Sequence, residues 1–240
     1  MMKRFLIILM AALVSCVGQK EDPDDPETSL WGADGQAAGI VMDFTATWCV
    51  NCPGMKTAIE EASAVSSFIP ICVHFHDDMA CEDGKALIDH FGVQAYPSAV
   101  MNMDASTLIT ATSRELIQAK LAQAGSGKAP CTLDISAEAG GDVTVKVTAA
   151  EDGEYTLSVA LVEDGIVAPQ TGGSESYVHN AVFRGFLQGN LLGDSLGGLC
   201  GGSQVQRSFF VPPGASDNYR IVAYVCHGGI VNSAASARIP

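Results

Sequence analysis

The run VMDFTATWCVNCP, from Val41 to Pro53, does most to limit what this chain can fold into. It sets an apolar strand, Ile40 to Phe44, directly before two cysteines three residues apart, Cys49 and Cys52. Asp43 sits inside that strand, where a buried carboxylate without a partner is costly. After Cys52 the pattern turns helical, with Met55, Ile59, Ala62 and Val65 falling roughly on one face. Cys49 is therefore expected at the N-terminus of a helix, where unpaired backbone N–H groups and the helix dipole favour a thiolate. Pro53 suits a helix's first turn, which tolerates its missing N–H. Cys52, one turn further in, can attack any disulfide that Cys49 forms. The pattern is that of a redox-active dithiol.

The N-terminal residues bear on where such chemistry operates. Lys3 and Arg4 precede an apolar stretch from Phe5 to Val14 that is too short to span a bilayer as a lasting helix. It ends in Leu13-Val14-Ser15-Cys16, which resembles a bacterial lipobox. The resemblance implies a signal peptide over residues 1–15 and lipidation of Cys16, giving stable anchorage to the outer membrane. A plain secretory signal with an incidental cysteine is the alternative. Residues 16–30 carry Glu21, Asp22, Asp24, Asp25 and Glu27 with two prolines, and read as an extended acidic tether. Acidic residues after the cysteine resemble export signals that send some lipoproteins to the cell surface, so either the periplasmic or the outer face is open. The formal net charge of −14 argues against nucleic-acid partners and against electrostatic docking on anionic lipid.

The rest of the chain changes character at Gly125-Ser126-Gly127-Lys128-Ala129-Pro130. Residues 31–126 alternate strand and helix: an apolar run from Phe68 to Phe75, a helix from Lys85 to Phe91, and a strand from Val93 to Met101. A last helix is capped by Ser113. Pro70 suits a strand start or edge. Such alternation predicts a mixed sheet flanked by helices. Residues 131–240 read as strands, with Val143, Val145 and Val147, and then Tyr155, Leu157, Val159 and Leu161, alternating with polar residues. A β-sandwich domain is expected, with a long mobile loop or irregular hairpin where seven glycines fall between Gly185 and Gly202.

Four features of the first part resemble the thioredoxin superfamily: Asp43 six residues before Cys49, Trp48 directly before it, the Cys-x-x-Cys pair, and Phe91-Gly92-Val93 leading to Tyr96-Pro97-Ser98. The resemblance implies an α/β thioredoxin-like domain with a cis Pro97 facing the dithiol. It also implies that the Tyr96 backbone is free to pair with an extended substrate. In the implied mechanism Cys49 forms a mixed disulfide with a protein thiol or disulfide, and Cys52 resolves it. Asp43, its pKa raised by burial, relays the Cys52 proton, and Trp48 shields the sulfurs. Sulfur carries the electrons, so no cofactor is called for. Val50-Asn51 replaces the family's common Gly-Pro between the cysteines.

The remaining residues offer weaker signals. Cys72, Cys81, Cys131, Cys200 and Cys226 cannot all pair within one chain; Cys72 with Cys81 and Cys200 with Cys226 are candidates by domain. A zinc half-site at Cys49 and Cys52 lacks a second pair of ligands. Cys72, His74 and His76 share one strand face, as metal ligands or as ordinary strand-end residues. ALVEDGIVAPQ (Ala160 to Gln170) and YVHNAVFRGF (Tyr177 to Phe186) resemble motifs of the twenty-eight-kilodalton outer-membrane-protein family of Gram-negative bacteria. Within it His179, Asn180 and Arg184 are either ligand contacts or polar residues on a strand's wet face. Two functions stand against each other. One is an anchored thiol–disulfide oxidoreductase; the other is a surface binding or adhesion lipoprotein whose thioredoxin-like part is a scaffold.

Overall fold

The computed structural model of the chain describes residues 35–110, 112–125, 129–138, 141–212 and 218–239. The expected signal peptide (residues 1–15), the lipidated Cys16 and the tether to residue 30 lie outside them. In chain order the elements begin with β1 (Gly35–Ala37), β2 (Gly39–Thr45), α1 (Cys52–Ser66) and β3 (Phe68–His74). They continue with α2 (Glu82–Phe91), β4 (Ser98–Met101) and α3 (Arg114–Ala124). Strands follow: β5 (Cys131–Ala137), β6 (Asp142–Ala149), β7 (Gly153–Glu163), β8 (Ile166–Ala168) and β9 (Tyr177–His179). The last are β10 (Val182–Phe186), β11 (Asp194–Leu199), β12 (Gln204–Phe210), β13 (Tyr219–His227) and β14 (Ile230–Arg238). The fold is mixed α/β and mostly strand. No helix among the described residues is long and apolar enough to cross a membrane.

Local chemistry sets the helix ends. Asn51 precedes α1 and Pro53 occupies its first turn. Glu82 and Asp83 lie in the first turn of α2, where the dipole favours acids, and Gly92 ends it in the left-handed conformation at φ 63°. Ser113 caps α3, its hydroxyl accepting from the Leu116 N–H at 3.4 Å.

The large sheet runs β1-β14-β13-β7-β10-β3-β2-β4, with β11 also on β7. β2 and β3 are parallel, joined through α1, and β4 is antiparallel to β2. Patterning divides the chain near residues 126–130, yet the sheet crosses that division. β10 lies parallel to β3, meeting it at Val182 and Cys72, and β1 pairs with β14. Pro70 lies beside β2 in mid-strand, where its other side is free of β10. The sheet curls, so that Val231 N–H on β14 donates to Asn102 O at 3.1 Å, and Asn102 Oδ1 accepts from Ile40 N–H at 3.0 Å. One core fills the curl and joins Met42, Phe44 and Ile71 to Leu87 of α2 and to Val222 and Tyr224 of β13. Such side chains contribute roughly 1.5–3 kcal/mol each on burial. On the opposite side α1 and α3 cover Val41, Cys72 and Met101. A three-stranded sheet, β12-β6-β5, packs Leu133, Val145 and Val147 against Val159, Leu161 and Ile221, which is the sandwich part.

Two expectations are corrected. The candidate pairs Cys72–Cys81 and Cys200–Cys226 do not form, and all four thiols are free. Cys72 packs under α1 while Cys81 packs with the core on the other face, and β7 lies between β13, which bears Cys226, and β11, which Cys200 directly follows. The glycine-rich stretch holds a strand, β11, paired with β7 through a bulge between Ser195 and Gly197.

Candidate active site

β2 ends at Thr45, and the turn that follows carries Trp48, Cys49 and Val50 to the head of α1. The helix proper starts at Cys52, whose N–H donates to Cys49 O at 3.3 Å, so Cys49 lies in the turn just before it. The two sulfurs are joined as a disulfide, with Cα atoms 5.4 Å apart. Both are largely covered, Cys49 5 % exposed and Cys52 2 %, whereas Trp48 is 48 % and Val50 61 % exposed. Trp48 Nε1–H donates to Phe75 O at 3.1 Å and its ring meets Tyr96 edge-on at 5.7 Å. Tyr96 stacks on Phe75 at 4.9 Å. The Tyr96–Pro97 bond is cis, and Tyr96 packs against Ala46 and the two cysteines. Of the residues expected from sequence at the dithiol, Trp48 and Tyr96 lie beside it, with the buried Pro97 directly after Tyr96; Cys16 lies outside the described residues.

Asp43 is buried and its Oδ1 has no hydrogen-bond partner. Burial pushes its carboxyl up to about 7, with Lys56 opposing and Glu60 adding to the rise. Its partner across the parallel pair is Cys72, whose thiol is driven well above its usual range by burial and then by Asp43. Asp43, Cys52 and Cys72 line a cavity of about 20 Å³. Asp77, which follows β3, fixes the dithiol turn: its carboxylate accepts from Thr47 N–H and contacts His74 Nδ1, both at 2.8 Å. Burial alone would raise the Asp77 carboxyl, but the His74 and backbone hydrogen bonds hold it below its ordinary value. His74 is thus committed to Asp77, and His76 stacks on Phe75 at 3.8 Å. Among the described residues no group of three or more His, Cys, Asp or Glu is placed to hold a metal.

Sequence reasoning missed the contribution of the C-terminal half. The β8–β9 hairpin lays its loop against the dithiol turn. The buried Gln170 amide donates to Ala46 O at 3.2 Å and Cys49 O at 3.0 Å, and Thr171 N–H donates to Thr47 O at 2.8 Å. Gly172, at φ +80°, lies so close that a Cβ there would fall 2.2 Å from Val50 O. Lys56 Nζ reaches Val178 O at 3.2 Å and lies 4.8 Å over the Tyr177 ring. His179 turns inward to meet His74, ring centroids 5.5 Å apart. Asn180 Oδ1 instead accepts from Gly165 N–H, and Arg184 pairs with Glu163 at 2.7 Å. The signal was present, since Gln170 closes one family-like motif and His179 lies in the other, but neither names its partner.

The family model of "Outer membrane protein Omp28" matches residues 84–236. The chain belongs to the Omp28 family. The resemblance of its two C-terminal motifs is thereby established, and Omp28 membership places the protein in the outer-membrane envelope. Among solved structures the chain is similar to HBP35 of Porphyromonas gingivalis, with TM-score 0.69 and 16 % identity over 85 % of this chain and 76 % of that one. It is also similar to a structural-genomics protein from Agrobacterium tumefaciens, with TM-score 0.57 and 13 % identity over 86 % and 96 %. Identities this low show a shared fold alone. No curated protein matches the chain in sequence.

Proposed function

We propose that this Omp28 protein is an outer-membrane-associated thiol–disulfide oxidoreductase acting on protein thiols and disulfides. One observation carries the reading: the Cys49–Cys52 disulfide stands in front of a buried carboxyl, Asp43, whose pKa near 7 suits proton exchange at neutral pH. The order of strand, dithiol turn, helix and cis-proline loop supports a thioredoxin-like reading of this half. Cys49 exchanges with a substrate sulfur, Cys52 resolves the mixed disulfide, and Asp43 takes or returns the Cys52 proton. Exposed Trp48 and the Tyr96 loop supply the surface on which the substrate rests.

Cys52→Ser in the full chain is expected to trap mixed disulfides, seen as adducts on a non-reducing gel and released by dithiothreitol. Cys49→Ser is expected to trap none. A wild-type couple between about −120 and −270 mV agrees with this reading. The low exposure of Cys49 and the Gln170 strap favour a second one, a binding or adhesion protein with a static disulfide. Absence of any adduct, with a potential well below that range, decides for the binder.

A further inference from the structure

Two buried polar atoms without partners converge on the small cavity behind the dithiol. Asp43 Oδ1 comes from β2 and His179 Nε2 from β9, 136 positions later in the chain, and both residues line the same space of about 20 Å³ beside Cys52. A buried polar atom left unsatisfied costs about 1–3 kcal/mol. A cavity of this size admits one water, and two convergent polar atoms together with a thiol are enough to hold it. We propose that His179 is a positioning residue of the dithiol reaction, fixing a single water between its Nε2, Asp43 Oδ1 and the Cys52 sulfur.

The geometry assigns each hydrogen. His179 is hydrogen-bonded to the Ala168 backbone, and burial, then His74, lower its pKa to about 4, so it is neutral at pH 7. Its bare Nε2 accepts one water hydrogen and Asp43 Oδ1 accepts the other. The water oxygen is left facing Cys52, ready to receive a proton. In the resolving step the Cys52 sulfur bonds to the Cys49 sulfur and the bond from Cys49 to the substrate sulfur breaks, its electron pair leaving on the substrate. The Cys52 proton passes through the water to the Asp43 carboxylate, and the departing thiolate takes a proton from solvent. The dithiol is oxidised by two electrons and the substrate disulfide is reduced; the reverse reaction runs the same path backwards. The other ionisable groups facing His179 and Asp43 are Lys56 and Glu60 from α1, Cys72 and His74 from β3, Asp77 beyond it and Tyr177 from β9.

This inference rests on the oxidoreductase reading, and the test separates the two. Reduced full-length protein is mixed with oxidised glutathione, quenched in acid over time, and the glutathione adduct on Cys49 is followed by mass spectrometry from pH 5.5 to 8.5. His179→Phe keeps the ring's bulk but removes the acceptor, and is expected to slow decay of the adduct about tenfold or more at pH 7, leaving its formation unchanged. His179→Gln retains an acceptor and is expected to stay within about threefold of wild type. Decay unchanged in His179→Phe, or formation and decay slowed together, overturns the role of His179 while leaving the oxidoreductase standing. If wild type forms no adduct, both fall. In the unaltered chain, side-chain nitrogen NMR at pH 7 is expected to show His179 neutral with an unprotonated Nε2; a protonated Nε2 overturns the proposal whatever the variants do.

Discussion

Asp43 stands in an environment far from what its side chain prefers. Its pKa rises from 3.8 to about 7 on folding, because burial penalises the ionised form. The folded state therefore keeps a proton that the unfolded state has released. The stability Asp43 permits is full below about pH 4 and is lost as pH rises through 7, a difference of about 4 kcal/mol. Asp43→Asn removes this dependence, so urea unfolding should show its stability gain over wild type growing by about 3–4 kcal/mol from pH 4 to pH 8; an equal gain at both would show that the carboxyl is not held protonated. His179 acts with the opposite sign: its lowered pKa withdraws stability as pH falls from 6.5 towards about 4. The Asp43 environment was legible in the sequence, because a lone acid inside an apolar run leaves a strand few alternatives. That of His179 was not, since its neighbour His74 lies 105 positions away and no local pattern links them.

At the level of elements, the β8–β9 hairpin is a strap across the dithiol turn. Gln170→Ala removes two hydrogen bonds, to the Ala46 and Cys49 carbonyls, which keep only their backbone donors, at a cost of about 1–3 kcal/mol. With the turn loosened, iodoacetamide should label reduced Cys49 at least about threefold faster than in wild type, since alkylation follows access to the thiolate. Equal rates would mean that the loop rests on the turn without restraining it. Gly172→Ala should be worse, its methyl driven against Val50 O. The helices and the strand before Cys49 follow local rules of period and capping, and the chain states them openly. The glycine-rich stretch shows where such rules fail: its glycines read as a mobile loop or an irregular hairpin, but Gly197 supplies a positive φ at a bulge that lets β11 pair with β7. Pairing partners are chosen by the whole sheet, and short segments carry no record of them.

For the molecule as a whole, the sheet that crosses residues 126–130 matters more than the change of composition there. A piece ending at residue 125 would lose β10 from the side of β3, β14 from β1, and the β13 side of the core around Tyr224. Such a piece is expected to lack a cooperative melt, whereas the full chain should unfold in one transition by both near- and far-ultraviolet dichroism. The buried Arg220–Asp164 pair, bidentate at 2.6 and 3.1 Å, ties β13 to the end of β7. Asp164→Ala should cost about 3–5 kcal/mol by denaturant titration, because the guanidinium is left in the interior without that carboxylate. The direction of β2 carries one more consequence. β1 leads through Ala38 into the beginning of this strand, and the sulfurs follow its end, about 20 Å further on at the usual rise per residue. If the protein is held from its N-terminal side, the reactive pole points away from the point of attachment, and a client meets it without first passing the surface to which the body is moored.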